Sequence, residues 1–323
     1  MADFGKPETQ KAPSEMDLWC FIYLTMYICK YSKKWVCLLV LTLVFMTRDF
    51  SLLWAGERET LRIVGSTTVL PIASRAAEQF KALKGGTFRI TVNAGGSGVG
   101  VNSVAGRRAD IGMISRELSD GERRRFRDSH LTLHQVARDG VVCAVSSEVY
   151  EGGVRALTKQ QISDIYRGRL TNWQEVGGPD RRIVVVDKER HRGTRHVFMK
   201  YILGNATARA PAARLVTGSN NEEQAKIAQS DGAIGMLSVA WLNEDVKGTG
   251  IREGDRVIEP TREHIVSGDF PMARSLVFLT AGEPKGLARE FIAFVLGPKG
   301  RRIIENSGYT PMPATTTAQV TTP

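Results

Sequence analysis

The sequence predicts an α/β protein, with a parallel-rich sheet covered by helices on both faces. Short apolar runs with strand character alternate with segments at helical spacing from residue 61 to residue 306. At least three of the strand-to-helix turns are rich in glycine, small hydroxyl or basic residues. The length of 323 residues, with 42% hydrophobic and 24% charged content, is enough for two compact lobes.

Taken in order, residues 1–55 read as a leader rather than as part of the fold. Residues 18–29 and 35–46 are apolar, and Lys30, Lys33 and Lys34 lie between them. Basic residues, an apolar stretch and Ala55 at the cut describe a secretory signal, with translation starting at Met26. The alternative is a retained membrane anchor, although each apolar run is shorter than the ~20 residues a spanning helix needs. Leu61–Val64 is then a short strand, followed by Gly65, Ser66, Thr67 and Thr68 and by a helix from Leu70 to Leu83 that puts Ile72, Ala76 and Phe80 on one face. Phe88, Ile90 and Val92 alternate with polar residues as a half-buried strand does. Gly95, Gly96, Ser97 and Gly98 form a loop, and Val99, Val101, Val104 and Ala105 continue it as a helix. Free N–H groups and the dipole make such a helix start a site for an anion, and Ser97 adds a neutral donor. The plain alternative is a tight turn with no ligand.

Asp110–Ile114 is a short strand. Leu131–Ala137 and Val141–Val145 are strands flanking Arg138, Asp139 and Gly140. Residues 158–166 and 221–229 read as helices, and 232–237 as a buried strand. Ile183–Val186 is a strand whose loop, residues 187–195, leads to a helix carrying Val197, Phe198, Tyr201 and Ile202. Ser275–Leu279 is a further strand, with helices at 285–295 and 298–306; the Thr/Pro-rich tail 314–323 is expected to be disordered. Trp173 is expected in the core.

The formal net charge of +10 suits an acidic partner or an anionic ligand. Nucleic acid is not expected, because the basic residues are scattered and no zinc-finger spacing occurs. Cys20, Cys29 and Cys37 fall in the leader, which leaves only Cys143 in the body, so no disulfide framework is expected. The histidines lack metal spacing. No cofactor is expected, and without paired carboxylates or a Ser/His/Asp order, no enzymatic activity. The loops match neither G-x-x-x-x-G-K-[ST] nor G-x-G-x-x-G, since Val101 stands where a third glycine belongs.

The stretches VGSTTVLPIA (64–73), NAGGSGVGVNSVAGRRADIGMISREL (93–118), DGVVCAVS (139–146), LTKQQISDIYRGRLTNWQEVGG (157–178), RGTRHVFMKYILG (192–204), DGAIGMLS (231–238) and FIAFVLGPKGRRIIENSGYTPM (291–312) carry a resemblance. The chain resembles the short form of the periplasmic phosphate-binding proteins of bacterial ABC importers. That resemblance implies a two-lobed type II periplasmic-binding-protein fold with a ligand cleft between the lobes. It implies residues 56–138 plus 270–313 as the first lobe and 139–269 as the second, with crossovers near 137–141 and 268–276. It also implies a monomer in the periplasm that delivers inorganic phosphate to permease subunits. By position in the family's motifs, Ser66, Thr67, Ser97, Gly98, Ser115, Lys188, Arg192, Gly193 and Thr194 are the expected ligand-binding residues.

Two departures from the family stand out. Ser115 occupies a position where many relatives carry an Asp that accepts the proton of monohydrogen phosphate; Asp139 is a candidate replacement, and Arg116 a neighbouring cation or merely a solvated one. In the third loop Lys188 replaces an Arg, and His191 and Arg192 replace Gly and Ser. Arg192 either supplies the missing guanidinium fork or faces solvent. Another oxyanion (sulfate, molybdate or tungstate) and a signalling or adhesion module are the competing functions.

Overall fold

The structure, a computed structural model, describes residues 59–85 and 88–313. The expected leader and tail lie outside the described residues. The described residues fall within one compact unit. Its strands are β1 (Thr60–Gly65), β2 (Arg89–Ala94), β3 (Ile111–Ile114), β4 (Leu131–Ser146), β5 (Ala156–Thr158), β6 (Val184–Lys188), β7 (Ala213–Thr217), β8 (Ala233–Ser238), β9 (Val246–Glu253), β10 (Arg256–Ile258), β11 (Ala273–Ala281) and β12 (Thr310–Pro311). Its helices are α1 (Leu70–Lys84), α2 (Ser97–Ala105), α3 (Asp120–Arg125), α4 (Ser147–Glu151), α5 (Lys159–Arg167), α6 (Gly193–Leu203), α7 (Asn220–Ala228), α8 (Arg262–Ser267), α9 (Gly286–Leu296) and α10 (Pro298–Glu305).

Two mixed sheets share one strand. The first runs β2-β1-β3-β11-β4, with β1 parallel to β2 and β3, and β11 antiparallel to both β3 and β4. The second runs β4-β8-β6-β7, with β9 on the other side of β4. β4 joins them: up to Gly140 it pairs with β11, and from Val141 it pairs with β8. The expected break at Arg138–Gly140 is therefore absent, and 131–146 is one strand. Asp139 stays in the strand because its carboxylate finds partners there, Nε and Nη2 of Arg274 and Oγ of Ser238. Gly140 stays because a side chain has no room: a Cβ would lie 2.8 Å from Cδ1 of Ile265. The chain returns to the first sheet at Ala273, after Val141 N–H donates to the Met272 carbonyl at 3.0 Å.

Each sheet has its own apolar core. The first is built around Ile63, Phe80, Met113, Phe278 and Phe291, with the Phe80 and Phe291 rings edge to face at 5.6 Å. The second gathers Val142, Tyr166, Trp173, Phe198 and Ile234. Trp173 begins a short 3-10 turn (Trp173–Val176), is fully buried, and donates from Nε1 to the Gly232 carbonyl at 2.9 Å. Trp173→Ala leaves a cavity and removes one of the two donors to the Gly232 carbonyl, which keeps Val184 N–H at 2.9 Å. It is expected to cost about 3–5 kcal/mol, measured as a shift of the denaturant midpoint.

The helix boundaries follow from their caps. Thr158 and Gln161 form a capping box at α5, and Gly168 closes it at φ 79°. Pro71 sits in the first turn of α1, where no N–H partner is lost. Among the described residues no helix is long and apolar enough to cross a membrane.

Candidate functional site

Three helix starts converge where the two sheets meet. α1 follows β1 through the Gly65–Val69 turn, α2 follows β2 through Gly95 and Gly96, and α6 follows β6 through residues 189–192. The first two belong to the first sheet and the third to the second. Gly65 makes the first turn possible: its φ is 144°, and a Cβ would run into the backbone of Met113. Ser66 N–H then donates to the Met113 carbonyl at 2.8 Å, tying the turn to β3.

The side chains at this point are mostly hydroxyls. Ser66 Oγ donates to Ser115 Oγ at 2.8 Å, Ser115 Oγ lies 3.3 Å from Ser97 Oγ, and Ser115 N–H donates to Ser97 Oγ at 3.1 Å. Gly193 is pressed against the same group; a Cβ there would collide with the hydroxyls of Ser97 and Ser115. Thr68 Oγ1 lies 3.4 Å from Thr194 Oγ1 and accepts from Asn220 Nδ2 at 2.9 Å. The Thr68 contacts link the first sheet's side to the second's, as does Gly98 N–H donating to the His191 carbonyl at 3.1 Å.

One guanidinium lies among them. Arg274 Nη1 donates to Thr194 Oγ1 and to the Ser115 carbonyl, both at 3.1 Å, while Nε and Nη2 reach Asp139 Oδ2 at 2.9 and 2.7 Å. Both residues are buried. Burial pushes the Asp139 carboxyl up, and Arg274 and the Ser238 hydroxyl oppose that shift. Asp139, a candidate acceptor for ligand, is thus the counter-ion of Arg274. Tyr309 closes the far side, donating from Oη to the Thr68 carbonyl at 2.8 Å.

Of the expected ligand-binding residues, Ser66, Ser97, Ser115, Gly193 and Thr194 come together, with Gly98 beside them in α2. Thr67 is 9% exposed on the same turn. The two expected cations are engaged elsewhere. Lys188 Nζ pairs with Glu223 at 2.7 Å and donates to the Ser219 carbonyl at 3.1 Å, with both side chains buried. Glu223 also accepts from Thr217 Oγ1 and Met236 N–H, so hydrogen bonds from neighbouring groups support the buried pair. Burial lowers the Lys188 pKa, and the partner carboxylate works against that. Arg192 Nε donates to Glu189 Oε2 at 2.8 Å within its own loop, and its stem lies against Gly96. Arg192 is neither centred on the hydroxyls nor free in solvent: its side chain is 14% exposed. Arg116 is not a solvated charge either; it grips Glu122 with both terminal nitrogens at 2.7 and 2.8 Å.

Sequence reading missed Thr68 as a bridge, Asn220, Ser238 and, above all, Arg274. The signal for Arg274 was a lone cation opening the apolar strand 275–279 at the second crossover. The signal for Asn220 was its place right after Ser219, whose hydroxyl caps α7.

The arrangement has neutral donors, helix dipoles and one matched guanidinium. Among the described residues no group of three or more His, Cys, Asp or Glu side chains is placed to hold a metal. Comparison with known proteins decides the family. The family model described as PBP superfamily domain matches residues 53–299. The phosphate-binding protein PstS of Bacillus subtilis (strain 168) is 31% identical over 254 residues, covering 78% of this chain and 81% of that protein. The chain belongs to this family. PstS of Borreliella burgdorferi is 26% identical, with 84% of this chain and 97% of that protein covered. Among solved structures, a putative phosphate ABC transporter substrate-binding protein with bound phosphate from Clostridium perfringens aligns with a TM-score of 0.71. It is 27% identical and covers 79% of this chain and 100% of its own. An ABC-type phosphate transport receptor from Vibrio cholerae aligns at 0.63, with 29% identity and 78% and 100% coverage. The family is one of substrate-binding proteins, and the mixed sheets with flanking helices are its fold.

Proposed function

We propose that this protein captures inorganic phosphate between two lobes outside the cytoplasmic membrane and delivers it to the permease of an ABC importer. The observation that carries the reading is the convergence of hydroxyls from both lobes and a guanidinium on one point, at three helix starts. Such a point suits a small tetrahedral oxyanion. Its oxygens accept hydrogen bonds from Ser66, Thr67, Ser97, Ser115 and Thr194 and from backbone N–H groups, with Gly193 giving close access. Arg274 supplies the charge that the family places on the third loop, while Lys188 and Arg192 shape that loop from their ion pairs.

The lobes of this reading are residues 56–138 with 270–313, and 139–269. β4 and the segment before β11 form the hinge, and closure follows ligand binding. The leader 1–55 directs export, with cleavage after Ala55, to a monomer in the periplasm; no chemistry and no cofactor are required. Residues of both lobes already touch through Thr68, Thr194 and Asn220.

Ligand identity is tested by competition titration of the mature protein with phosphate, sulfate, molybdate and tungstate. Phosphate is expected to bind most tightly, with weaker rejection of sulfate than in relatives that carry Asp where this chain has Ser115. A neutral hydroxyl donates to either anion, whereas a carboxylate repels an anion that has no proton to share. Tight sulfate binding without phosphate binding overturns the phosphate assignment and leaves an oxyanion cleft for another ion.

A further inference from the structure

A second cavity, of about 230 Å³, lies at the hinge. Both lobes build it: Arg262 and Ile265 from α8 on one side, Gly308, Tyr309 and Thr310 on the other, and Arg138 and Asp139 from β4 between them. Arg116, Arg195 and Arg274 are each matched by a carboxylate, of Glu122, Asp187 and Asp139. The Arg138 and Arg262 side chains have no hydrogen-bond or ion-pair partner among the described residues, yet both line this cavity, and Arg138 is half-buried. Two unmatched guanidinium forks in a recess are suited to carboxylates, which they bind in bidentate fashion.

The rest of the lining narrows the ligand. Val239, Ile265 and the Tyr309 ring give it an apolar wall, which a bare oxyanion cannot use and a short carbon skeleton can. The Glu305 carboxylate on the same lining repels organic and inorganic anions alike, so the choice between them rests on the apolar wall and the two guanidinium forks. We propose that the hinge cavity is a second binding site, which takes a small organic di- or tricarboxylate held by Arg138 and Arg262. The site is physically joined to the oxyanion point. Asp139 lines the cavity and holds Arg274, and Tyr309 lines it and holds the Thr68 carbonyl. A ligand touching both lobes at the hinge stabilises one lobe arrangement over others. It therefore shifts phosphate affinity, and phosphate shifts its affinity by the same factor.

Calorimetric titration of the mature protein with succinate and with citrate, at fixed ionic strength, tests the proposal. Both phosphate-free and phosphate-saturated protein are titrated. At least one probe is expected to bind in both states, and the Arg262→Glu variant should weaken that binding about tenfold or more. Arg262 is exposed, so the charge reversal leaves folding intact; without a carboxylate present, phosphate affinity should match that of the parent. Three results overturn the proposal: no binding of either probe, binding that Arg262→Glu leaves unchanged, and binding that phosphate displaces competitively, which places the probe in the cleft. The first part of the experiment uses no phosphate, so failure of the phosphate reading and failure of this one are told apart.

Discussion

Replacing Arg274 with methionine is expected to abolish phosphate binding and to lower stability by about 3–5 kcal/mol, the cost of leaving a buried charge without its partner. Arg274 holds Asp139, the Ser115 carbonyl and Thr194 at once, so its loss touches both lobes and the strand between them. Methionine fills much of the volume but leaves the fully buried Asp139 carboxylate beside the place where an anion must sit. Repulsion then adds to the lost donor. Arg274→Lys separates the two effects. It restores a positive charge and part of the stability, but a single ammonium cannot span Asp139, Ser115 and Thr194, so binding stays weak. Calorimetry and denaturant unfolding of both variants give the two quantities. Parental affinity in Arg274→Met would mean that hydroxyls and helix dipoles hold the anion unaided.

Gly193→Ala is expected to weaken phosphate binding by at least about a hundredfold, or roughly 2.7 kcal/mol, while leaving stability unchanged or slightly raised. The added methyl collides with the Ser97 and Ser115 hydroxyls, which belong to the opposite lobe. The lobes must then stop short of each other, and donors from the two sides no longer reach one ion. Gly193 opens α6, has no left-handed φ, and Ala is the better helix former, so the backbone gives no reason for a loss of stability. A variant with parental affinity would mean that the third loop takes no part in holding the ligand. A variant that melts early would mean that the contact serves the fold instead.

Much of this was legible from local pattern. The turn at Gly65–Thr68, the Gly95–Gly98 loop and the helix at Gly193 are visible because apolar period, glycine and hydroxyl residues mark them within ten or so positions. The burial of Trp173 was legible for the same reason. What could not be read was which charge meets which. Asp139 and Arg274 are 135 residues apart, and the polar triplet Arg138–Gly140 looks like a break until Arg274 supplies its partner. Lys188 sits at the family's cation position, yet Glu223, in a helix 32 residues further on, claims it. Ion pairing is set by topology, which a one-dimensional pattern does not contain.

The shared strand also bears on how the chain reaches this structure. β4 completes its place in the first sheet only when residues 273–281 lie beside it and residues 310–311 cover its other edge. The N-terminal lobe therefore waits for segments made much later, and the entropy of closing that long loop must be met before the pairing yields any gain. Non-local pairing of this kind forms slowly, so the first sheet is completed late. Under the export proposed above, in which the chain crosses the membrane before it folds, late completion of the first sheet works against premature folding of the N-terminal half.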